Sequence, residues 1–185
     1  KETAAAKVAT DQRLNGALSP AFVPGGVVVP LFGEHTVRMY DESGAVVWTS
    51  DEGDFHNPGS ATYIPSLGQV VITDTGNHRL VWLDAATGRR ERVAEYSSGT
   101  AGNEAGHFKY PWGAALLAGG KTLAIVEQGN HRVQLVEASG DRWVTHCSAT
   151  SAGYEGGNNG SFTVGDDNGS FTVEMSKDAG KSGGR

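Results

Sequence analysis

A single cysteine, Cys147, stands among 185 residues. No intrachain disulfide can form from it, nor a metal site built on several thiolates. Long apolar runs are missing as well: no stretch approaches the ~18 residues that a membrane-crossing helix needs, so no membrane span is expected. Charge is sparse and acidic in balance, with 15 Lys and Arg against 21 Asp and Glu and a formal net charge of −6. Nucleic-acid binding rests on cations that neutralise phosphates, and no basic stripe is present, so no nucleic-acid partner is expected. The one local group, Arg89, Arg90 and Arg92, lies beside Glu91 and Glu95 and reads as a mixed-charge edge strand or turn rather than a phosphate site. No nucleophile elbow, phosphate-binding loop or metal-spaced histidine pair occurs.

Glycine is in excess, at 27 residues, about twice the usual share of ~7%. The glycines keep no three-residue period, which excludes a collagen helix. Ala, Glu, Lys and Leu do not dominate, which argues against a long coiled coil. The length suits one domain with a real core.

The main signal is an internal repeat. Gly33-Glu-His-Thr-Val-Arg-Met-Tyr-Asp-Glu-Ser-Gly44, Gly76-Asn-His-Arg-Leu-Val-Trp-Leu-Asp-Ala-Ala-Thr-Gly88 and Gly129-Asn-His-Arg-Val-Gln-Leu-Val-Glu-Ala-Ser-Gly140 line up, with His35 and His78 43 residues apart and His78 and His131 53 apart. Upstream, Phe55-His-Asn-Pro58 matches Phe108-Lys-Tyr-Pro111 at 53, and Val27–Val29 matches Val70–Ile72 at 43. Each unit reads as short strands separated by turns. The second predicts strands at 61–64, 69–73, 79–83 and 92–96, and the third at 114–117, 122–126, 132–136 and 142–146. Four antiparallel strands repeated every ~40–50 residues is the pattern of a β-propeller blade, and tight turns at positive φ explain the glycines. The ten extra residues between the second and third units fall in 97–107, as an insertion between blades.

The runs Asp74-Thr-Gly-Asn-His-Arg-Leu80 and Glu127-Gln-Gly-Asn-His-Arg-Val133, with Phe-x-x-Pro upstream of each, resemble NHL repeats. The first unit departs from the pattern, with Glu34 in place of Asn and Thr36 in place of Arg, and reads as a degenerate blade. The resemblance covers roughly residues 14–147 and implies an all-β fold of about three four-stranded antiparallel blades. It also implies that Asn77, His78, Arg79, Asn130, His131 and Arg132 are scaffold, holding turns and strands together. A residue repeated in every blade serves every blade, whereas an active site is usually unique. Val46-Val-Trp48 carries a lesser likeness to quinoprotein-like and sulfotransferase-like propellers.

Residues 1–13 stand apart, as a tag or a closing strand. Lys1-Glu-Thr-Ala-Ala-Ala-Lys7 is identical to the start of pancreatic ribonuclease, but seven residues do not carry that activity, and a start on Lys rather than Met suggests processing or trimming. Residues 14–149 hold the three blades. Residues 150–175 form a Gly- and Asn-rich tail whose repeated Ser-Phe-Thr-Val predicts a β-hairpin, with 161–164 and 170–174 as its strands, or the beginning of a fourth blade. Residues 176–185 read as a disordered end. Asn159-Gly-Ser161 and Asn168-Gly-Ser170 fit the N-glycosylation pattern, which tilts the expected setting toward extracellular.

Propellers usually close with ~4–8 blades. Three blades make an incomplete ring with exposed sheet faces, which invites association. The partner expected is a second copy or another protein completing the propeller, in a ring or a filament. The leading expectation for function is therefore a non-enzymatic module for protein–protein interaction or self-assembly, with no cofactor. The alternative is a fragment of a propeller enzyme, of lyase, lactonase or transferase type, with a metal or acid/base site on one face. RNA binding is a third option and would require a continuous basic face. Tyr63, Tyr110 and Trp112, near the inner strands, form the candidate binding face. Asp51, Glu52 and Asp54 form an acidic run that reads as a solvated loop before a calcium site.

Overall fold

A computed structural model describes residues 14–94, 100–104, 106–140, 143–148, 160–166 and 169–175. They form three four-stranded antiparallel sheets and one hairpin. The first sheet, blade 1, runs β1 (Ala21–Val23), β2 (Gly26–Leu31), β3 (Thr36–Asp41) and β4 (Val46–Thr49). Blade 2 runs β5 (Pro58–Ile64), β6 (Gln69–Asp74), β7 (Arg79–Asp84) and β8 (Arg90–Val93). Blade 3 runs β9 (Pro111–Leu116), β10 (Thr122–Glu127), β11 (Arg132–Glu137) and β12 (Trp143–Ser148). In each sheet the spatial order follows the sequence order, so every connection is a short meander. The predicted tail hairpin is present as β13 (Gly160–Asp166) and β14 (Gly169–Met175), paired from Gly160↔Met175 to Asp166↔Gly169.

Several predicted boundaries move. β5 and β9 begin three residues earlier than expected, at Pro58 and Pro111. Proline lacks the N–H that a ladder requires but is tolerated as the first residue of a strand. β8 covers Arg90–Val93 instead of 92–96, and β12 covers Trp143–Ser148 instead of 142–146. Each outer strand pairs with its neighbour across a register shift at one repeat-equivalent place: Met39/Tyr40, Trp82/Leu83 and Leu135/Val136. Hydrophobic spacing alone does not show that shift, because a bulge breaks the two-residue period.

Alternation along the strands gives each blade two apolar faces, and the core lies between blades rather than within one. Val28, Val37 and Met39 of blade 1 meet Val70, Ile72, Val81 and Leu83 of blade 2. The opposite face of blade 2, with Ile64, Val71, Leu80 and Trp82, meets Phe108, Leu123, Ile125 and Val136 of blade 3. Blade 1 keeps a smaller cluster, Val29, Leu31 and Tyr40, on its other side. The three blades form an open arc.

Candidate functional site

The repeated residues meet at the joints between blades. The segment from the second to the third strand is a short 3-10 turn, Phe32–Glu34 in blade 1 and Thr75–Asn77 in blade 2. It ends on a histidine in the left-handed region: His35 at φ 57°, His78 at φ 55° and, in blade 3, His131 at φ 50°. Asn57 and Tyr110, each just before the proline that starts the next blade, are left-handed too, at φ 53° and 49°. The two sets interlock. The Asn57 N–H donates to His35 Nδ1 and the Tyr110 N–H to His78 Nδ1, both at 3.1 Å. His35 and His78 therefore grip the residues that lead into the following blade. His78 also stacks edge-on against Tyr110, with ring centroids 4.5 Å apart.

Behind His78 and His131 lies a buried carboxylate. Asp74 ends β6 and is fully buried. It accepts from the His56 N–H at 2.8 Å, Asn77 Nδ2 at 2.8 Å and Arg79 Nε at 2.7 Å. Arg79 reaches on to the Asp54 carbonyl. Glu127 does the same work in blade 3, accepting from the Lys109 N–H, Asn130 Nδ2, Arg132 Nε and Gln134 Nε2. Arg132 also donates to the carbonyls of Asn103, Glu104 and His107. The Asn-His-Arg triplet thus holds the loop that leads into a blade against that blade's own second and third strands.

Blade 1 achieves this with different positions. Leu31 fills the carboxylate's place and Thr36 the arginine's. Glu34 instead accepts the Asn15 N–H at 3.3 Å and pairs with Arg38 at 2.6 Å. Asn15 is the repeat equivalent of His56 and Lys109: the Gly33 N–H donates to its carbonyl as Gly76 does to His56 and Gly129 to Lys109. The carboxylate and the cation have both slid along the chain, so neither charge is left alone. Position-by-position comparison misses this, although Glu34 and Arg38 standing four residues apart was the available signal.

Hydroxyls and indoles complete the joints. Thr62 Oγ1 donates to the Ala114 carbonyl at 2.8 Å and Thr75 Oγ1 to the Pro111 carbonyl at 2.6 Å, sewing β5 and the turn after β6 to β9. Farther out, Trp48 Nε1 donates to the Ala85 carbonyl at 3.1 Å and Trp82 Nε1 to the Ala138 carbonyl at 2.9 Å. Both indoles rest on the turn between the third and fourth strands of the next blade. A Cβ on Gly88 would stand 2.6 Å from Trp48, and one on Gly140 2.8 Å from Trp82. Both glycines also have positive φ, so these two positions need glycine twice over.

The remaining candidates fall in different places. Tyr63 packs into the core between blades 1 and 2. Tyr110 and Trp112 are exposed. Trp112 occupies the register shift in β9 where Gly59 sits in β5, and its ring lies 5.6 Å from that of Phe32 in blade 1. Tyr110 and Trp112 thus lie on the side carrying the histidine turns, apart from Tyr63. Of the acidic run, Asp54 is bonded to Arg79 through its carbonyl and to Arg90 through its carboxylate. The arginine cluster is likewise committed: Arg89 pairs with Glu91, Arg90 with Asp54, and Arg92 donates to the Ser139 carbonyl of blade 3. Among the described residues no group of three His, Cys, Asp or Glu side chains is placed to hold a metal ion. Asn159 and Asn168 lie outside the described residues, as do 1–13 and 176–185.

Burial, the largest cause, and the nearby Lys109 charge hold the His78 imidazole below its ordinary value; Asp74 pulls the other way and His56 adds to the depression. The geometry agrees, because an Nδ1 that accepts an N–H cannot also carry a proton. A histidine depressed in this way binds fewer protons folded than unfolded. Its contribution is complete above the unfolded value of about 6.5 and is lost as pH falls through the folded value. Thermal melting between about pH 7.5 and about pH 5.5 should therefore show a falling midpoint in the wild type. His78→Asn keeps a residue tolerant of left-handed backbone and removes the titration, so its midpoint should fall less over the same interval. Equal slopes would show that His78 does not govern this joint.

The family model for the NHL repeat matches residues 55–83, which run from Phe55 through β7. No curated protein matches the chain. Among solved structures the chain is similar to hydrazine synthase of Kuenenia stuttgartiensis, at 10% identity and a TM-score of 0.59 over 89% of this chain and 47% of that one. It is similar to the computationally designed Ika4 protein, at 11% identity and a TM-score of 0.56 over 90% of this chain and 94% of that one. It is also similar to glutaminyl cyclase of Myxococcus xanthus, at 17% identity and a TM-score of 0.52 over 74% of this chain and 52% of that one. The chain thus spans about half the length of the two natural proteins, and at these identities the likeness carries the fold alone. The middle blade matches the NHL-repeat model, and it is joined on either side to blades of the same design in an open β-propeller-like fold.

Proposed function

We propose that this propeller module is non-enzymatic and serves protein–protein contact, self-association above all. One observation carries the reading: blade 3 is apolar on both faces, and the face turned away from blade 2 leaves large apolar side chains exposed at Leu117 and Val126. Leu123 and Ile125 are fully buried against blade 2, while Val126, between them and Glu127 on the other face, is half exposed. An apolar sheet face of this kind marks an interaction site. The acid and base groups of the joints support the same reading, because Asp74, Glu127, Arg79 and Arg132 are each bonded to several scaffold partners, which leaves them poorly disposed to proton transfer. The acidic net charge favours a protein partner over nucleic acid.

Static light scattering on the purified chain tests this directly. The expected mass exceeds the 19.3 kDa of one chain. A clean monomer at every concentration would remove the self-association reading.

A further inference from the structure

Blade 3 breaks the internal repeat where its chain enters the sheet, and the break is aromatic. Blade 2 enters on Asn57-Pro58-Gly59, blade 3 on Tyr110-Pro111-Trp112. The exchange does not serve the fold. Asn57 suits left-handed backbone, whereas Tyr110 holds φ 49° with a bulky side chain, an outlier in that region. Gly59 is buried and has no room for a Cβ, while Trp112 sets a large ring in solvent. Tyr110 is 44% and Trp112 40% exposed. Backbone strain and exposed aromatics at the same entry mark a contact site.

The polar atoms of this stretch suit one kind of ligand. Trp48 and Trp82 give their indole N–H to a carbonyl of the next blade. The Trp112 Nε1–H has no acceptor among the described residues, and the Tyr110 hydroxyl has no partner there. Lys109, exposed beside them, forms no ion pair among the described residues. The carbonyls, by contrast, are occupied. That of Tyr110 accepts the Gln128 N–H, that of Pro111 accepts from Thr75 Oγ1, and that of Trp112 accepts from Thr73 Oγ1. Phe32 of blade 1 completes the patch. Its ring lies 5.6 Å from that of Trp112 and is tilted 51° to it, so the two meet as a wedge and not as a flat stack. A ligand that fits is apolar, rich in acceptors, poor in donors and negatively charged near Lys109. A neutral sugar fails, since each hydroxyl brings a donor with its acceptor. An ordinary peptide brings an N–H with nearly every carbonyl. Proline has no N–H, and a polyproline II chain makes no internal hydrogen bonds, so its carbonyls stay available. Grooves lined by aromatic rings read such chains.

We infer that Phe32, Tyr110 and Trp112 bind a proline-rich segment of a partner protein. Its prolines lie against the rings, its carbonyls accept from Trp112 Nε1 and the Tyr110 hydroxyl, and an acidic residue of the segment pairs with Lys109. The inference adds a second partner to the self-association reading and does not rest on it.

Isothermal titration calorimetry tests it on the full chain. The probe is a capped peptide of about six prolines, or about two turns of polyproline II, followed by a pair of glutamates. The wild type should bind it with a dissociation constant below about 1 mM. Trp112→Gly and Tyr110→Asn copy the entry of blade 2, so both should keep the wild-type circular dichroism. Each should raise the dissociation constant by about tenfold or more, as expected for an aromatic anchor. Lys109→Gln should weaken the glutamate-tailed peptide and leave binding of the same prolines without glutamate unchanged. A wild type that does not bind the peptide, or binding that survives Trp112→Gly, overturns the inference. So does a Lys109→Gln effect equal on both peptides, or tighter binding of a neutral cello-oligosaccharide. Light scattering reports on self-association separately, so a monomer that binds the peptide leaves this inference standing, and an oligomer that does not bind it leaves self-association standing.

Discussion

Replacing Glu127 with alanine should destabilise the chain by about 3–5 kcal/mol, the usual cost of stranding one member of a buried ion pair. Arg132 is bonded to Glu127 at 2.7 Å and its side chain is only 7% exposed. Its guanidinium would keep the carbonyls of Asn103, Glu104 and His107 but lose its counter-charge. The Lys109 N–H, Asn130 and Gln134 would lose an acceptor in the same step. Since a domain holds only about 5–15 kcal/mol in total, urea denaturation should show a large fall in midpoint. Two companions separate charge from packing. Glu127→Asp supplies the carboxylate that blade 2 uses as Asp74, and should cost about 1 kcal/mol, an ordinary substitution effect. The pair Glu127→Leu with Arg132→Thr copies Leu31 and Thr36 of blade 1 and removes both charges, so it should be more stable than Glu127→Ala. If the double variant proves the less stable of the two, the carboxylate acts through its hydrogen bonds and not through Arg132.

That comparison also shows how far the sequence could be read. The blades were legible because a strand ladder needs apolar residues at fixed offsets, and the offsets at Val27–Val29, Val70–Ile72 and the Gly-Asn-His-Arg runs recur. The left-handed histidines were legible only as a conserved spacing within the chain. Their partner is a backbone N–H on the next blade, and a backbone donor leaves no trace in residue identity. The displaced Glu34–Arg38 pair escaped position-by-position comparison for a different reason. A motif records which residue stands where, while the fold requires only that a carboxylate reach one N–H and find a cation. Strand starts at Pro58 and Pro111 were hidden because proline normally argues against a strand. Tyr63 and Trp112 look alike as aromatics near inner strands, yet a side chain's face depends on register, and the shift at Trp112 turns it out of the pattern that buries Tyr63.

Trp82→Ala should cost about 3–5 kcal/mol, the range for emptying a large buried aromatic site. Trp82 is fully buried between blades 2 and 3. Unlike a residue packed inside one sheet, it is held by two blades, and its Nε1 bond to the Ala138 carbonyl reaches across to the second. The cavity would therefore open along the joint itself. Gly140, which approaches the indole because it has no Cβ, would lose its neighbour, and the turn after β11 would be freed with it. Amide hydrogen exchange should accordingly speed up in β10 and β11, where strands face the emptied site, more than in β2 and β3 of blade 1, which reach blade 2 through its opposite face. Trp82→Phe keeps much of the ring volume and strands only the carbonyl, so its cost should be about 1–3 kcal/mol. A uniform rise in exchange across all three blades would show that the arc unfolds as one cooperative unit. In that case the joints could not behave as separable contacts, and the loss at Trp82 would count against the stability of the whole arc rather than of a single joint.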